Sequence, residues 1–179
     1  AAVIDQNGVL TAKRSGIVWV RASAGLSTDR IAVVIRIQDE QVRNTDLSVL
    51  REETSDYTLT GDRITVNMKT GDLFESSNTV KNLFLYQIPE DVDKDNLRAV
   101  LKVDHLPERE SNQWDTASFL LYQNDDNYIS VGKKSHYDGI TTVVETNASG
   151  TETGGNAEQN ELTSAYFGFC KKGDSVSVD

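Results

Sequence analysis

The chain reads as all-β, built from antiparallel sandwiches, and three features of the sequence carry that reading. Apolar residues alternate with polar ones or gather in short runs, and turn-forming clusters break them up at the 8–12-residue spacing of a sandwich. No stretch repeats its apolar residues at the 3.6-residue period of a long amphipathic helix. Tight-turn sequences separate the candidate strands, as at Asn7-Gly8, Gln123 to Asn127, and Lys171-Lys172-Gly173-Asp174.

Taken in order, Asp5 to Gly8 is a hairpin turn, because Asn-Gly supplies the positive φ angles of a two-residue turn. A short strand to Lys13 follows. Ile17 to Ala22 alternates as a strand, Gly25 to Asp29 reads as a turn, and Ile31 to Ile37 as the next strand. Trp19 lies inside the first of these and reads as structural. Gln38 to Asp46 is polar, and the boundary between two modules is expected there, dividing residues 1–40 from 41–179. Gly71 to Val80 is a polar loop that runs into the strand Leu83 to Tyr86. Pro89 and Asp91 to Asn96 make a turn before the strand Leu97 to Val103. Phe119 to Tyr122 and Tyr128 to Val131 are strands on either side of the acidic turn. Asn147 to Asn160 has no apolar residue larger than alanine and is expected to be a mobile loop. Tyr166 to Val178 is a strand, turn and strand.

At 179 residues the chain has room for one large or two small domains, each with a core. A net charge of −10 disfavours nucleic acid and anionic membranes as partners, since both need clustered cations. No apolar run is long enough for a membrane-spanning helix, so membrane insertion is not expected, and no signal peptide is visible. Cys170 is the single cysteine and sits in an apolar run, where it reads as a small core residue. With only His105 and His136 available, neither a Cys–His nucleophile nor a structural zinc site is expected. The sequon Asn147-Ala148-Ser149 reads as fortuitous.

Three ordered blocks carry a resemblance. They are Gly71-Asp72-Leu73-Phe74 with Lys81-Asn82-Leu83-Phe84-Leu85-Tyr86-Gln87, then Leu97 to Pro107, then Phe119 to Gly132. Together they resemble the concanavalin A-like (jelly-roll) β-sandwich found beside the catalytic domain of family 43 beta-xylosidases and arabinosidases. The resemblance spans about residues 45–179. Asp5, Gly8, Thr11, Ala12 and Gly16 are similar in spacing to the second half of a bacterial Ig-like module of the group 2 type, over about residues 1–38. The first strands of that module and the last strands of the sandwich are expected to lie outside this sequence.

These resemblances imply a secreted or cell-surface bacterial protein whose parent is a glycoside hydrolase. The residues themselves do not suggest catalysis. Glycosidic hydrolysis needs two carboxyl groups flanking the bond, one of them with a raised pKa. The nearest patterns, Asp91-Val92-Asp93-Lys94-Asp95 and Glu108-Arg109-Glu110, follow prolines in turns rather than lying in apolar strands. Sugar binding needs aromatic faces beside amides and carboxylates. Trp114, Tyr122, Gln123, Asn127, Tyr128 and Tyr137 supply these on or beside the central hairpin. Tyr122 and Tyr128 read first as cross-strand packing partners, and Trp114 is the better binding candidate because it follows the polar run Ser111-Asn112-Gln113, as a loop residue would.

No cofactor is required by this reading, although a structural calcium at Asp125 and Asp126 is the candidate to weigh. Asp91, Asp93 and Asp95 do not make an EF-hand, because Asn96 stands at the glycine position and Lys102 at the closing glutamate. Two functions are expected to compete. One is a non-catalytic module that binds a polysaccharide or oligosaccharide beside neighbouring domains of its parent. The other is a structural spacer, adhesion segment or buttress. An exposed Trp114 favours the first, and burial of Trp114, Tyr122, Tyr128 and Tyr137 the second.

Overall fold

The computed structural model describes residues 2–12, 16–25, 27–35, 42–90 and 92–179. The protein is all-β, with antiparallel strands, three short 3₁₀ turns and no α-helix among the described residues. It divides into two compact units, residues 1–42 and 43–179. The boundary expected between residues 40 and 41 lies outside the described residues, as does Asp91.

In the first unit, β1 (Ala2–Ile4) and β2 (Leu10–Ala12) form a hairpin. Asp5 Oδ1 accepts from the amides of Asn7 at 2.9 Å and Val9 at 2.8 Å, and Gly8 takes φ +80°. β3 (Gly16–Ala24) and β4 (Ser27–Ile35) form a second hairpin. Its turn is shorter than the expected Gly25 to Asp29. Gly25 at φ +60° reverses the chain, and Ser27 and Thr28 already pair with Ala24 and Ser23. Residues 36 and 37 of the expected strand lie outside the described residues. Trp19, read as structural, is 62% exposed, with the Arg30 guanidinium 4.9 Å from its ring.

The second unit opens with two ribbons. β5 (Leu47–Leu50) pairs with β8 (Leu83–Tyr86), and β6 (Tyr57–Thr60) pairs with β7 (Arg63–Val66). A three-stranded sheet places β14 (Ala165–Lys172) between β9 (Asn96–Val103) and β15 (Ser175–Val178). A four-stranded meander runs β10 (Thr116–Asn124), β11 (Asn127–Lys134), β12 (Ile140–Thr146) and β13 (Ser149–Thr153).

The meander is covered on both faces, which is why Phe119 to Tyr122 is apolar without alternation. Phe119, Leu121 and Val131 pack toward Phe167 and Phe169 of the three-stranded sheet, with the Phe119 and Phe169 rings 5.1 Å apart. Leu120, Tyr122, Tyr128 and Val143 face the other way, onto Leu73, Phe74 and Val80. The Gly71 to Val80 loop lies on that face because Asp72 organises it. Asp72 Oδ1 accepts from the amides of Leu73 and Phe74, and its carbonyl accepts from those of Thr79 and Val80. A Cβ on Gly71 would stand 2.9 Å from the Thr79 carbonyl oxygen, so the closure requires glycine.

Two expectations are corrected. Asn147 to Asn160 is not a loop throughout. Asn147 and Ala148, at φ +52° and +57°, turn the chain into β13, and Ala157–Gln159 forms a capped 3₁₀ turn. That turn is anchored from below. Buried Lys133 donates from Nζ to the carbonyls of Asn160 at 2.6 Å and Leu162 at 2.9 Å, and Gly139 N donates to Asn160 Oδ1. Cys170, expected in the core, is half-buried on the opposite face of β14, because Phe167 and Phe169 take the inward positions.

Candidate functional site

The base of the β10–β11 hairpin carries an aromatic cluster. Trp114 comes from the loop before β10, and His136 and Tyr137 from the turn after β11. Backbone bonds tie the two segments together: Ser135 N donates to Asp115 O at 2.8 Å, and Glu110 N to Ser135 O at 2.8 Å. The Trp114 indole stacks on the His136 ring with centroids 3.8 Å apart and planes 16° from parallel. Tyr137 meets both edge-on, 5.9 Å from Trp114 and 5.4 Å from His136.

The cluster is fixed from behind. His136 Nδ1 lies 2.7 Å from the Ser111 carbonyl oxygen, which can only accept, so Nδ1 carries the proton. The negative charge of Glu152, with burial, raises the Tyr137 hydroxyl above the ordinary tyrosine pKa. Glu152 in turn lies 2.8 Å from Lys134 Nζ, in contact geometry rather than hydrogen-bond geometry. Arg109 donates from Nε to Asp138 Oδ1 at 2.9 Å and, with Asn160, holds that carboxyl below the usual range. Trp114 itself is 61% exposed. An indole backed by an imidazole, met at its edge by Tyr137 and otherwise largely exposed, is a flat apolar platform rimmed by polar groups, the arrangement that stacks on a pyranose ring.

At the other end of the hairpin, the tip opens into a concavity of about 550 Å³. Tyr122, Asn124, Asp125, Asp126 and Asn127 line it from the hairpin, with Asn78 from the loop and Asn147 from the β12–β13 turn. Arg51 grips Asp125 with both terminal nitrogens, at 2.8 and 3.1 Å, and donates from Nε to Val80 O at 2.5 Å. Tyr122 adds its hydroxyl to Asp125 Oδ1 at 2.8 Å. Arg51 accordingly holds Asp125 below the ordinary carboxylate range. Burial first, and then Asp125, push Tyr122 up to about 12.

The chain matches no family model, no curated protein and no solved structure.

The singled-out residues thus separate into groups. Trp114 and Tyr137 come together at the base, joined by His136, which the sequence offered only as a stray histidine. Tyr122 and Tyr128 sit directly opposite each other across the hairpin. Tyr128 is buried in the core against Leu73 and Val143, so its ring offers no face to a ligand, and burial raises its hydroxyl pKa further. Gln123 is exposed at the register shift between Tyr122 and Asn124. Asn127 is spent on structure: its Nδ2 donates to Asn124 Oδ1 and its Oδ1 accepts from Asn147 N.

Asp125 and Asp126 do not fit a calcium ion. Arg51 and Tyr122 occupy both oxygens of the first, and the second already accepts from Asn78 Nδ2 at 2.7 Å. Among the described residues, no three acidic, histidine or cysteine side chains group closely enough to hold a metal.

Proposed function

We propose that the chain is a non-catalytic, carbohydrate-binding accessory module of a secreted multidomain bacterial glycoside hydrolase. In this reading a partial Ig-like module precedes a concanavalin A-like sandwich. Its role is to hold a neighbouring catalytic domain on a polysaccharide. The observation that supports it is the exposed, imidazole-backed indole of Trp114 with Tyr137 at its edge. An indole backed by an imidazole and rimmed by polar groups is a surface that a sugar ring can cover, and the free energy of covering it is available to a ligand.

The test is a titration of intrinsic tryptophan fluorescence with xylan, arabinan, galactan and β-glucan fragments, on a Trp19→Phe background that leaves Trp114 as the reporter. A saturable shift with at least one fragment is expected, and isothermal titration calorimetry with that fragment is expected to lose its binding heat in Trp114→Ala. No response to any fragment from a folded protein would move the reading to a spacer or buttress.

A further inference from the structure

We propose that the concavity at the β10–β11 tip is a second ligand site, which takes an uncharged, hydroxyl-rich ring directly, without a bridging metal. The class of ligand rests on the glycan reading above, whereas the site rests on its own geometry. It is a shallow, solvent-open concavity of about 550 Å³, and three separate segments build its wall.

The polar groups of the wall divide into committed and free. Asp125 is closed by Arg51 and Tyr122, and Asn127 by Asn124 and Asn147 N. Among the described residues, no partner engages Asn124 Nδ2, the second oxygen of Asp126 or the side-chain amide of Asn147. Free donors and acceptors therefore share the wall of this concavity. A sugar hydroxyl donates and accepts at once, so neighbouring hydroxyls match this mixture.

Charge narrows the ligand further. The guanidinium of Arg51 is already neutralised, leaving Asp126 to repel an anion. A hard divalent cation wants six to eight oxygens, and only one carboxylate oxygen stays uncommitted. The wall is also assembled before any ligand arrives. Asn78 fixes Asp126, and the Ala148 amide donates to Asp126 O at 3.1 Å, so little ordering remains to oppose binding.

The experiment is ¹⁵N-resolved NMR of the full chain with xylotriose, arabinotriose, cellotriose and trigalacturonate, each in EDTA and then in excess calcium. Expected are saturable shifts of the Asn124 and Asn147 side-chain amides with a neutral trisaccharide in EDTA. They persist in Trp114→Ala, and the affinity read from the Asn124 side-chain amide weakens at least tenfold in Asn147→Gly, which keeps the positive φ, and in Asp126→Asn. Tip resonances that stay still while Trp114 responds would overturn the second site alone. Shifts that need calcium, or that appear only with trigalacturonate, would overturn its direct and uncharged character. Silence at both ends would overturn the glycan reading and this site together, and a responding tip beside a silent Trp114 would support this site against the platform.

Discussion

Trp114 and Tyr128 show how one residue class divides between packing and exposure. Tyr128 is 7% exposed among Leu73, Val143 and Leu120, and truncating an aromatic ring in such a place leaves a cavity the sheet cannot close. Tyr128→Ala is expected to cost about 3 kcal/mol or more of unfolding free energy in urea. Trp114→Ala, at 61% exposure, is expected to cost less than about 1 kcal/mol while removing the platform. Equal losses in the two variants would mean that Trp114 is structural. The sequence told the two residues apart in part. The polar run before Trp114 pointed to a loop, and Tyr122 and Tyr128 read as cross-strand partners because they flank the acidic turn. His136 was not legible, because its role depends on the turn after β11 returning to the loop before β10. No sequence spacing encodes that meeting.

At the scale of elements, the Gly71 to Val80 loop decides which part of the meander stays open. The Phe74 ring lies over Gly150 of β13, so close that a Cβ there would stand 2.2 Å from a ring carbon. Glu145, itself buried, accepts from the Glu75 amide at 2.8 Å and staples the loop to β12. Gly150→Val is expected to lift Phe74 and destabilise the protein by roughly 1–3 kcal/mol. Gly154→Ala, with nothing within 4 Å of its Cβ, serves as the control and is expected to leave the melting temperature unchanged within a degree or so. Identical melting temperatures in all three proteins would show that the loop is not docked as described. The expected loop at Asn147 to Asn160 failed at this same scale. Its composition is that of a loop, yet β12 pairs with it, and buried Lys133 and Asn160 secure the segment beyond. Tertiary partners outweighed local propensity.

For the whole molecule, acid is the informative perturbation. Asp56, Asp104, Asp125 and Asp138 are held below the ordinary carboxylate range, chiefly by Lys69, Lys102, Arg51 and Arg109 respectively. A depressed folded-state pKa means the unfolded chain takes up protons first on acidification. The stabilisation from these pairs is therefore complete above the unfolded carboxylate pKa and is lost as pH falls through the folded values. Thermal melts followed by circular dichroism are expected to be flat from neutral pH to about pH 5 and to fall steeply below about pH 4. A melting temperature that held or rose down to pH 3 would contradict the pairing.

The sequence by itself determined the all-β class and the positions of most strands in the larger unit. It also determined the hairpin around the acidic turn, with strands at Phe119 to Tyr122 and Tyr128 to Val131. Each of these is set by alternation, apolar runs and turn chemistry within a few residues. Tertiary structure alone decided that both faces of the meander are covered, that Arg51 and Tyr122 take up the Asp125 carboxylate, and that Trp114 stands exposed on His136. Those outcomes join residues tens of positions apart, and which groups meet depends on sheet order and loop docking rather than on any local pattern.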